Sequence, residues 1–196
     1  MTILEQVKSL RAQGIYCVPA NIHSKKPINK NGHWKNIDWS DEDFINANAF
    51  GIEHEKSNII DIDFDDLNAI KFQHLLPLDT LIIGKVEKEI AYPTHIFYRY
   101  DGKRNKITHL EDRYKPDSVI VEVLTNTQTI AGGGNRVVIK NIAPKKLTES
   151  EYFEVIRVVR KIPLMTILAK YYPSIGSRDE YCLTIAGCLA RYTDWS

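Results

Sequence analysis

The sequence predicts a mixed α/β (α+β) fold, and three observations lead there. Short β-branched apolar runs of strand length recur between residues 15 and 140, and apolar residues at helical spacing follow Thr2 and Thr148. A composition of 43% hydrophobic and 26% charged residues is that of a folded globular protein. The same composition excludes disorder, and no run of 18 apolar residues reads as a membrane span. The 196 residues suffice for one medium domain, or for a core of about 150 residues with a small appendage.

Taken in order, Ile3, Val7 and Leu10 predict a helix over residues 2–13, stopped by Gly14. Ile15-Tyr16-Cys17-Val18-Pro19 reads as the buried strand it feeds. Residues 22–40 are polar, with Lys25, Lys26, Pro27, Lys30 and Lys35, turn formers at Asn29, Asn31 and Gly32, and interleaved Trp34 and Trp39; they predict an ordered loop. Ser40-Asp41-Glu42-Asp43 has the form of a capped helix start leading into Phe44, Ile45 and Ala47, and Gly51 opens the next strand. Asn58-Ile59-Ile60-Asp61-Ile62-Asp63-Phe64 is a strand, after which Asp65 or Asp66 caps a helix running through Leu75. Further strands are expected at 80–86, 94–100, 118–124 and 135–140, the last two joined through Gly132-Gly133-Gly134. Thr148-Glu149-Ser150-Glu151 is a capping box continued by Tyr152, Val155, Ile156 and Val159. A boundary is expected near Pro163, giving one unit over 1–162 and a helical tail over 163–196.

Charge and cysteines narrow the functional classes. With 26 basic against 25 acidic residues the net charge is +1, so any nucleic-acid role must rest on local patches rather than on a basic excess. The three cysteines, Cys17, Cys182 and Cys188, form no CxxC pair, which argues against a disulfide framework or a zinc knuckle and fits a reducing cytoplasm. The segment from Met1 to Lys8 has no export or anchoring pattern.

Asp61 and Asp63 carry the sharpest chemical signal. Two residues apart on a strand, they leave one face with Cα atoms about 6.5 Å apart. Carboxylates so placed can converge on hard divalent cations, and a pair of such ions stabilises both the attacking and the leaving oxygen of a phosphoryl transfer. Spacing alone equally describes a solvated strand end whose acids cap the next helix, the role expected of Asp65 and Asp66. The flanking Ile59, Ile60, Ile62 and Phe64 favour the metal, since charge in a buried strand is costly unless paired or metal-bound. His95 shares a face with Phe97 and Arg99 by alternation; there it either meets a phosphate or serves as a hydrogen-bonded structural residue. Glu122 interrupts Val119-Ile120-Val121-Glu122-Val123-Leu124 and is either a third carboxylate of the site or an edge residue facing water. Gln128-Thr129 and the glycines beyond them either cradle substrate or turn the chain.

In their order, these segments resemble the primase-polymerase group of the archaeo-eukaryotic primase superfamily, as found in plasmids and phages, from about residue 9 to residue 140. The opening Gly14-Ile15-Tyr16-Cys17-Val18-Pro19, the loop Lys25-Lys26-Pro27 and Ala49-Phe50-Gly51-Ile52 resemble the family's approach to its acidic strand. Asn58-Ile59-Ile60-Asp61-Ile62-Asp63 looks like its first catalytic motif, Thr94-His95-Ile96-Phe97-Tyr98 its second and Val121-Glu122-Val123-Leu124 its third. Relatives carry a serine-glycine shortly before the histidine, where this chain has Ala91-Tyr92-Pro93-Thr94 and Thr94 is the substitute. Gly176-Ser177-Arg178-Asp179-Glu180 with Leu183, Ala186-Gly187 and Leu189-Ala190-Arg191 resembles the start of the primase C-terminal helical domain, which implies a fragment ending inside that unit.

The resemblance implies a catalytic core on an RNA-recognition-motif-like sheet, with a smaller N-terminal α/β part beside it. Asp61, Asp63 and Glu122 are then the catalytic ligands of two Mg²⁺ or Mn²⁺ ions, with no zinc expected, and His95 and Thr94 contact nucleotide phosphate. Arg99, Lys25, Lys26 and Gln128 are expected as further substrate contacts. The implied activity is template-directed primer synthesis or DNA extension in the replication of a plasmid, phage or other mobile element. Its partners are a single-stranded DNA template, nucleoside triphosphates and a replicative helicase in cis or trans, with no membrane. No GxxxxGK[ST] phosphate loop is present, so unwinding is not expected of these residues. Competing readings are a nucleotide-sugar transferase, whose Asp-x-Asp also ligates Mn²⁺ but which leaves His95 and Glu122 unexplained; a metal-dependent nuclease; and a non-catalytic module that stacks single-stranded nucleic acid on Tyr, Trp and Lys side chains.

Overall fold

The computed structural model describes residues 2–28, 34–104, 106–111, 118–173 and 176–191. The loop residues Asn29, Lys30, Asn31 and Gly32 lie outside these. Helix α1 (Ile3–Ala12) opens on a capping box: Thr2 Oγ1 accepts the Glu5 N–H, and the Glu5 carboxylate accepts the Thr2 N–H. Strands β1 (Cys17–Asn21), β2 (Lys26–Pro27) and β3 (Ala49–Glu53) follow. The capping box of Ser40 and Asp43 starts only a 3₁₀ turn, Asp41–Phe44, in place of the longer helix expected. Phe44 is buried while Ile45 is 65% exposed, so little apolar surface beyond Phe44 and the small Ala47 is buried to hold a longer helix.

β4 (Ile59–Phe64) is followed by α2 (Leu67–Ile70), a single turn, and then by a 3₁₀ turn at Gln73–Leu75. The continuous helix expected through Leu75 is thus broken, with Leu67 and Leu75 both exposed. β5 (Leu81–Glu87) and β6 (Ile90–Arg99) form a hairpin whose tip, Lys88 and Glu89, has φ of 48° and 67°, the left-handed pair that two-residue hairpin turns require. β7 (Ile107–Glu111), β8 (Val119–Leu124), β9 (Gln128–Gly132), β10 (Arg136–Lys140) and β11 (Lys145–Lys146) lead to α3 (Glu149–Lys170) and α4 (Arg178–Arg191).

The result is a mixed α+β molecule with two sheets. The larger runs β10-β5-β6-β4-β8-β7, antiparallel throughout, with β11 parallel to the end of β6; the smaller is antiparallel, β2-β1-β3-β9. Since β4 and β5 both run antiparallel to β6, they are parallel to each other, and β4-α2-β5 is a β-α-β unit split by β6. The segments 118–124 and 135–140, expected to be joined through the glycines, are not neighbours. Between them β9 crosses to the small sheet, and the glycines turn the chain back to β10. Gly133, at φ 96°, lets the backbones approach: a Cβ there would sit 2.2 Å from the Asn48 carbonyl oxygen.

Strand alternation divides the core into two layers. Ile60, Ile62 and Phe64 of β4, with Ile96, Tyr98, Val121 and Val123, pack under Tyr152, Val155, Val159 and Ile162 of α3. The opposite face carries Ile59, Leu81, Ile83 and Phe97 against Val7 and Leu10 of α1 and Val18, Phe50 and Ile52 of the small sheet. The boundary expected at 162/163 falls inside α3, which runs through Pro163. Ile162, Pro163 and Thr166 are all buried, and this packing offsets the hydrogen bond that proline forgoes. α4 meets α3 through a hydrogen bond from the Tyr181 hydroxyl to the Leu168 carbonyl (3.1 Å), and Leu183 is 73% exposed. Among the described residues no helix is long and apolar enough to cross a membrane.

Candidate functional site

Sheet register assembles the acidic residues. Asp63 lies opposite His95 on β6 and Glu122 on β8, while Asp61 lies opposite Phe97 and Leu124. By alternation Asp61, Asp63, His95 and Glu122 all leave the large sheet on the face away from α3. Asp63, Glu122 and Asp65 bring one carboxylate oxygen each to within 4.8 Å of one another, a cluster that can hold a metal ion. Of Asp65 and Asp66, either of which was expected to cap the helix, the cap is Asp66, whose carboxylate accepts the Asn68 N–H at 2.7 Å. The donors are hard oxygens, which suit Mg²⁺, Mn²⁺ or Ca²⁺ and not a soft-ligand metal.

Asp61 is set deeper and is fully buried. Its Oδ2 accepts from His95 Nδ1 at 3.1 Å and from the Thr129 hydroxyl of β9; its Oδ1 has no hydrogen-bond partner among the described residues. Behind Thr129 stands His54, also fully buried, with Nε2 2.9 Å from Thr129 Oγ1. Burial, outweighing the attraction of Asp61, pushes the His54 pKa down to about 4, so its ring is neutral.

His95 bridges the two aspartates, its Nδ1 also lying 3.3 Å from Asp63 Oδ1. On the other side Nε2 is 2.8 Å from Arg136 Nη1. A guanidinium only donates, so in this arrangement Nε2 accepts and His95 is the neutral Nδ1–H tautomer. Burial opposes charge on this imidazole, but Asp61 and Asp63 outweigh it and raise its pKa. A proton arriving at Nε2 therefore competes with Arg136 for one lone pair. The Asp63 carboxyl is pushed up to about 7, first by burial and then by Asp61 and Asp65, with His95 opposing. A partly dry cluster of mutually repelling carboxylates is relieved by a divalent cation.

Thr94 reaches the same guanidinium, 3.3 Å from Arg136 Nη1, through a bulge in β6. Ile83 pairs with His95 and Gly84 with Pro93, leaving Thr94 as the extra residue. Gly84 permits this: a Cβ there would lie 2.3 Å from the Tyr92 carbonyl oxygen.

The other expected contacts are placed elsewhere. Arg99 Nη2 donates to the carbonyls of Gln13 (2.7 Å) and Gly14 (2.9 Å), satisfying acceptors left open at the end of α1, and does not reach the acids. Lys25, in the β1–β2 turn, and Lys26, which opens β2, are exposed, and Gln128 Nε2 donates to the Lys25 carbonyl at 3.1 Å. Gln128 is thereby committed to holding that turn. Residue reasoning missed Arg136 and His54, took Asp65 only as a helix cap, and named Thr129 only within a segment that cradles substrate or turns the chain. Arg136 follows directly on the glycine turn and Thr129 on the singled-out Gln128, but only the strand pairing shows that they meet His95 and Asp61. No protein-family model matches the sequence, and no curated protein does.

Proposed function

We propose that this chain is a metal-dependent nucleotidyltransferase of the primase-polymerase type, adding nucleotides to a strand on a single-stranded DNA template. The observation that carries the reading is the row His95–Asp63–Glu122 across three neighbouring strands, flanked by Asp65 and by the buried Asp61. These residues come in the family's motif order, and the split β-α-β unit around β6 supports the expected RNA-recognition-motif-like core. In this reading Arg136, rather than Arg99, is the cation beside His95.

The residues fit a pair of Mg²⁺ or Mn²⁺ ions. Asp63, Asp65 and Glu122 would hold one, and Asp61, with its buried and unpartnered Oδ1, would contribute to the second. When bound, such ions neutralise the triphosphate and stabilise the attacking and leaving oxygens. Asp61 and Asp63 hold the His95 Nδ1–H, which fixes the ring with Nε2 toward Arg136. Thr94 and Arg136 then offer donors to phosphate oxygens from one side of the acids, and His95 joins them when its Nε2 is protonated. Nucleoside triphosphates, the template strand and a replicative helicase are the partners this reading carries.

Asp61→Ala and Asp63→Ala are expected to abolish nucleotide incorporation on a primed single-stranded template while leaving the circular dichroism spectrum intact; synthesis retained in both overturns the proposal. Labelled template incubated with Mn²⁺, with and without nucleotides, separates extension from degradation. Metal-independent strand binding with no incorporation identifies a non-catalytic module instead.

A further inference from the structure

The hydrogen bonds behind Asp61 lead out of the large sheet into the small one. Thr129 stands on β9 opposite Ile52 of β3, and His54 follows the last residue of β3. Thr129 has a single hydroxyl proton and gives it to Asp61 Oδ2, so toward His54 it must accept. His54 is therefore the Nε2–H tautomer, and its buried Nδ1 is left with no partner among the described residues. An unpaired buried acceptor is costly, and an apolar side chain at residue 54 would avoid that cost. Fold stability alone does not account for a histidine there.

The relay has a consequence for Asp61. Oδ2 is occupied from both sides, by His95 Nδ1 and by Thr129 Oγ1, while Oδ1 is bare. A carboxylate held in this way offers a cation one oxygen. Mg²⁺ and Mn²⁺ suit single-oxygen carboxylate ligation in a six-coordinate shell, whereas Ca²⁺ takes six to eight oxygens and often both of one carboxylate.

We infer that Thr129 and His54 are positioning residues that lock Asp61 into one-oxygen ligation through Oδ1, so that the small sheet biases the proposed metal site toward Mn²⁺ and Mg²⁺ over Ca²⁺. The inference rests on the metal reading above, but it assigns work to two residues outside the large sheet that touch neither the ion nor the substrate.

Calorimetric titration of the full chain with Mn²⁺ alone and with Ca²⁺ alone tests it, without reference to activity. Thr129→Val removes the hydroxyl and frees Oδ2; Mn²⁺ affinity is expected to fall about 10- to 100-fold, the usual effect of removing a group that orients a ligand. Ca²⁺ affinity falls far less, so the preference for Mn²⁺ narrows about tenfold or more. Thr129→Ser, which keeps the hydroxyl, restores the wild-type ratio. His54→Leu breaks the relay from its far end and shifts the ratio in the same direction, which carries the test if Thr129→Val does not fold. An unchanged Mn²⁺-to-Ca²⁺ ratio in the folded variants, including equal losses for both ions, overturns the positioning role and leaves the metal site standing. Failure of the wild-type chain to bind Mn²⁺ at all overturns both.

Discussion

At the residue scale, Asp63 makes the site pH-dependent in a definite direction. Its carboxyl is raised from the ordinary aspartate range to about 7, so the metal-free fold loses this group's contribution to stability as pH rises from about 4 through about 7. A cation needs the carboxylate, so affinity moves the other way and strengthens as pH rises through about 7. Mn²⁺ titrated calorimetrically at pH 6 in buffers of different ionisation enthalpy should release close to one proton per ion, and at pH 8 almost none; Asp63→Asn should remove the difference. Arg136 gives a second test. Its charge holds the His95 pKa down, so Arg136→Ala should raise it further, read from the imidazole resonances in an NMR titration. A lowered value would contradict the geometry of that contact. Three of the acids and the histidine were legible because each is a polar residue within an apolar strand, where its cost is visible without coordinates. Asp65 was not, because its neighbour Asp66 is the residue that caps α2.

At the scale of elements, β6 owes its presentation of Thr94 and His95 to the bulge opposite Gly84. Gly84→Ala would push a methyl against the Tyr92 carbonyl and Ile139, at 2.3 and 2.5 Å. It should cost on the order of 1–3 kcal/mol in urea unfolding and lower nucleotide incorporation more than an equally destabilising change under α3. Pro163 offers the opposite case. Proline costs about 3 kcal/mol relative to alanine in a helix interior, and the loss of its buried ring returns about 1–2 kcal/mol, so Pro163→Ala should stabilise by about 1 kcal/mol. The β-branched runs of β4, β6 and β8 announced themselves, as did the helical spacing of α1 and the capping box of α3. β9 did not, because five residues ending in glycine, Gln128-Thr129-Ile130-Ala131-Gly132, carry little strand pattern, and its partner β3 lies far back in the chain. The boundary expected near Pro163 coincides with no break in α3: the local penalty of proline is real, but the buried residues on either side of it outweigh it.

At the scale of the whole molecule, one sheet serves two cores and one site. β4 is paired on both sides and packed on both faces, so its amides should be the slowest to exchange with deuterium, while α4, which meets α3 through few side chains, should exchange first. Fast exchange in β4 would mean that the two layers open independently. The general α+β character followed from periodicity and composition; which strands lie together did not. Arg99 shows the difference. Alternation put it on the face of His95, yet the end of α1 supplies carbonyl acceptors near that end of β6 and takes its guanidinium. Arg136 fills the place beside His95 from a strand two positions away in the sheet, a neighbour that no local pattern specifies.

The hairpin tip at Lys88 and Glu89 provides a practical handle. It is exposed and lies about 20 Å along β6 from His95, at about 3.3 Å per residue. Both backbones already occupy the conformation that Asn-Gly adopts with least strain, so that dipeptide could be exchanged in and a cysteine-linked fluorophore attached beside it. A dye there would ride on the strand that carries the histidine, and its signal would report in real time whether the proposed nucleotide arrives, without touching His95 or the acids.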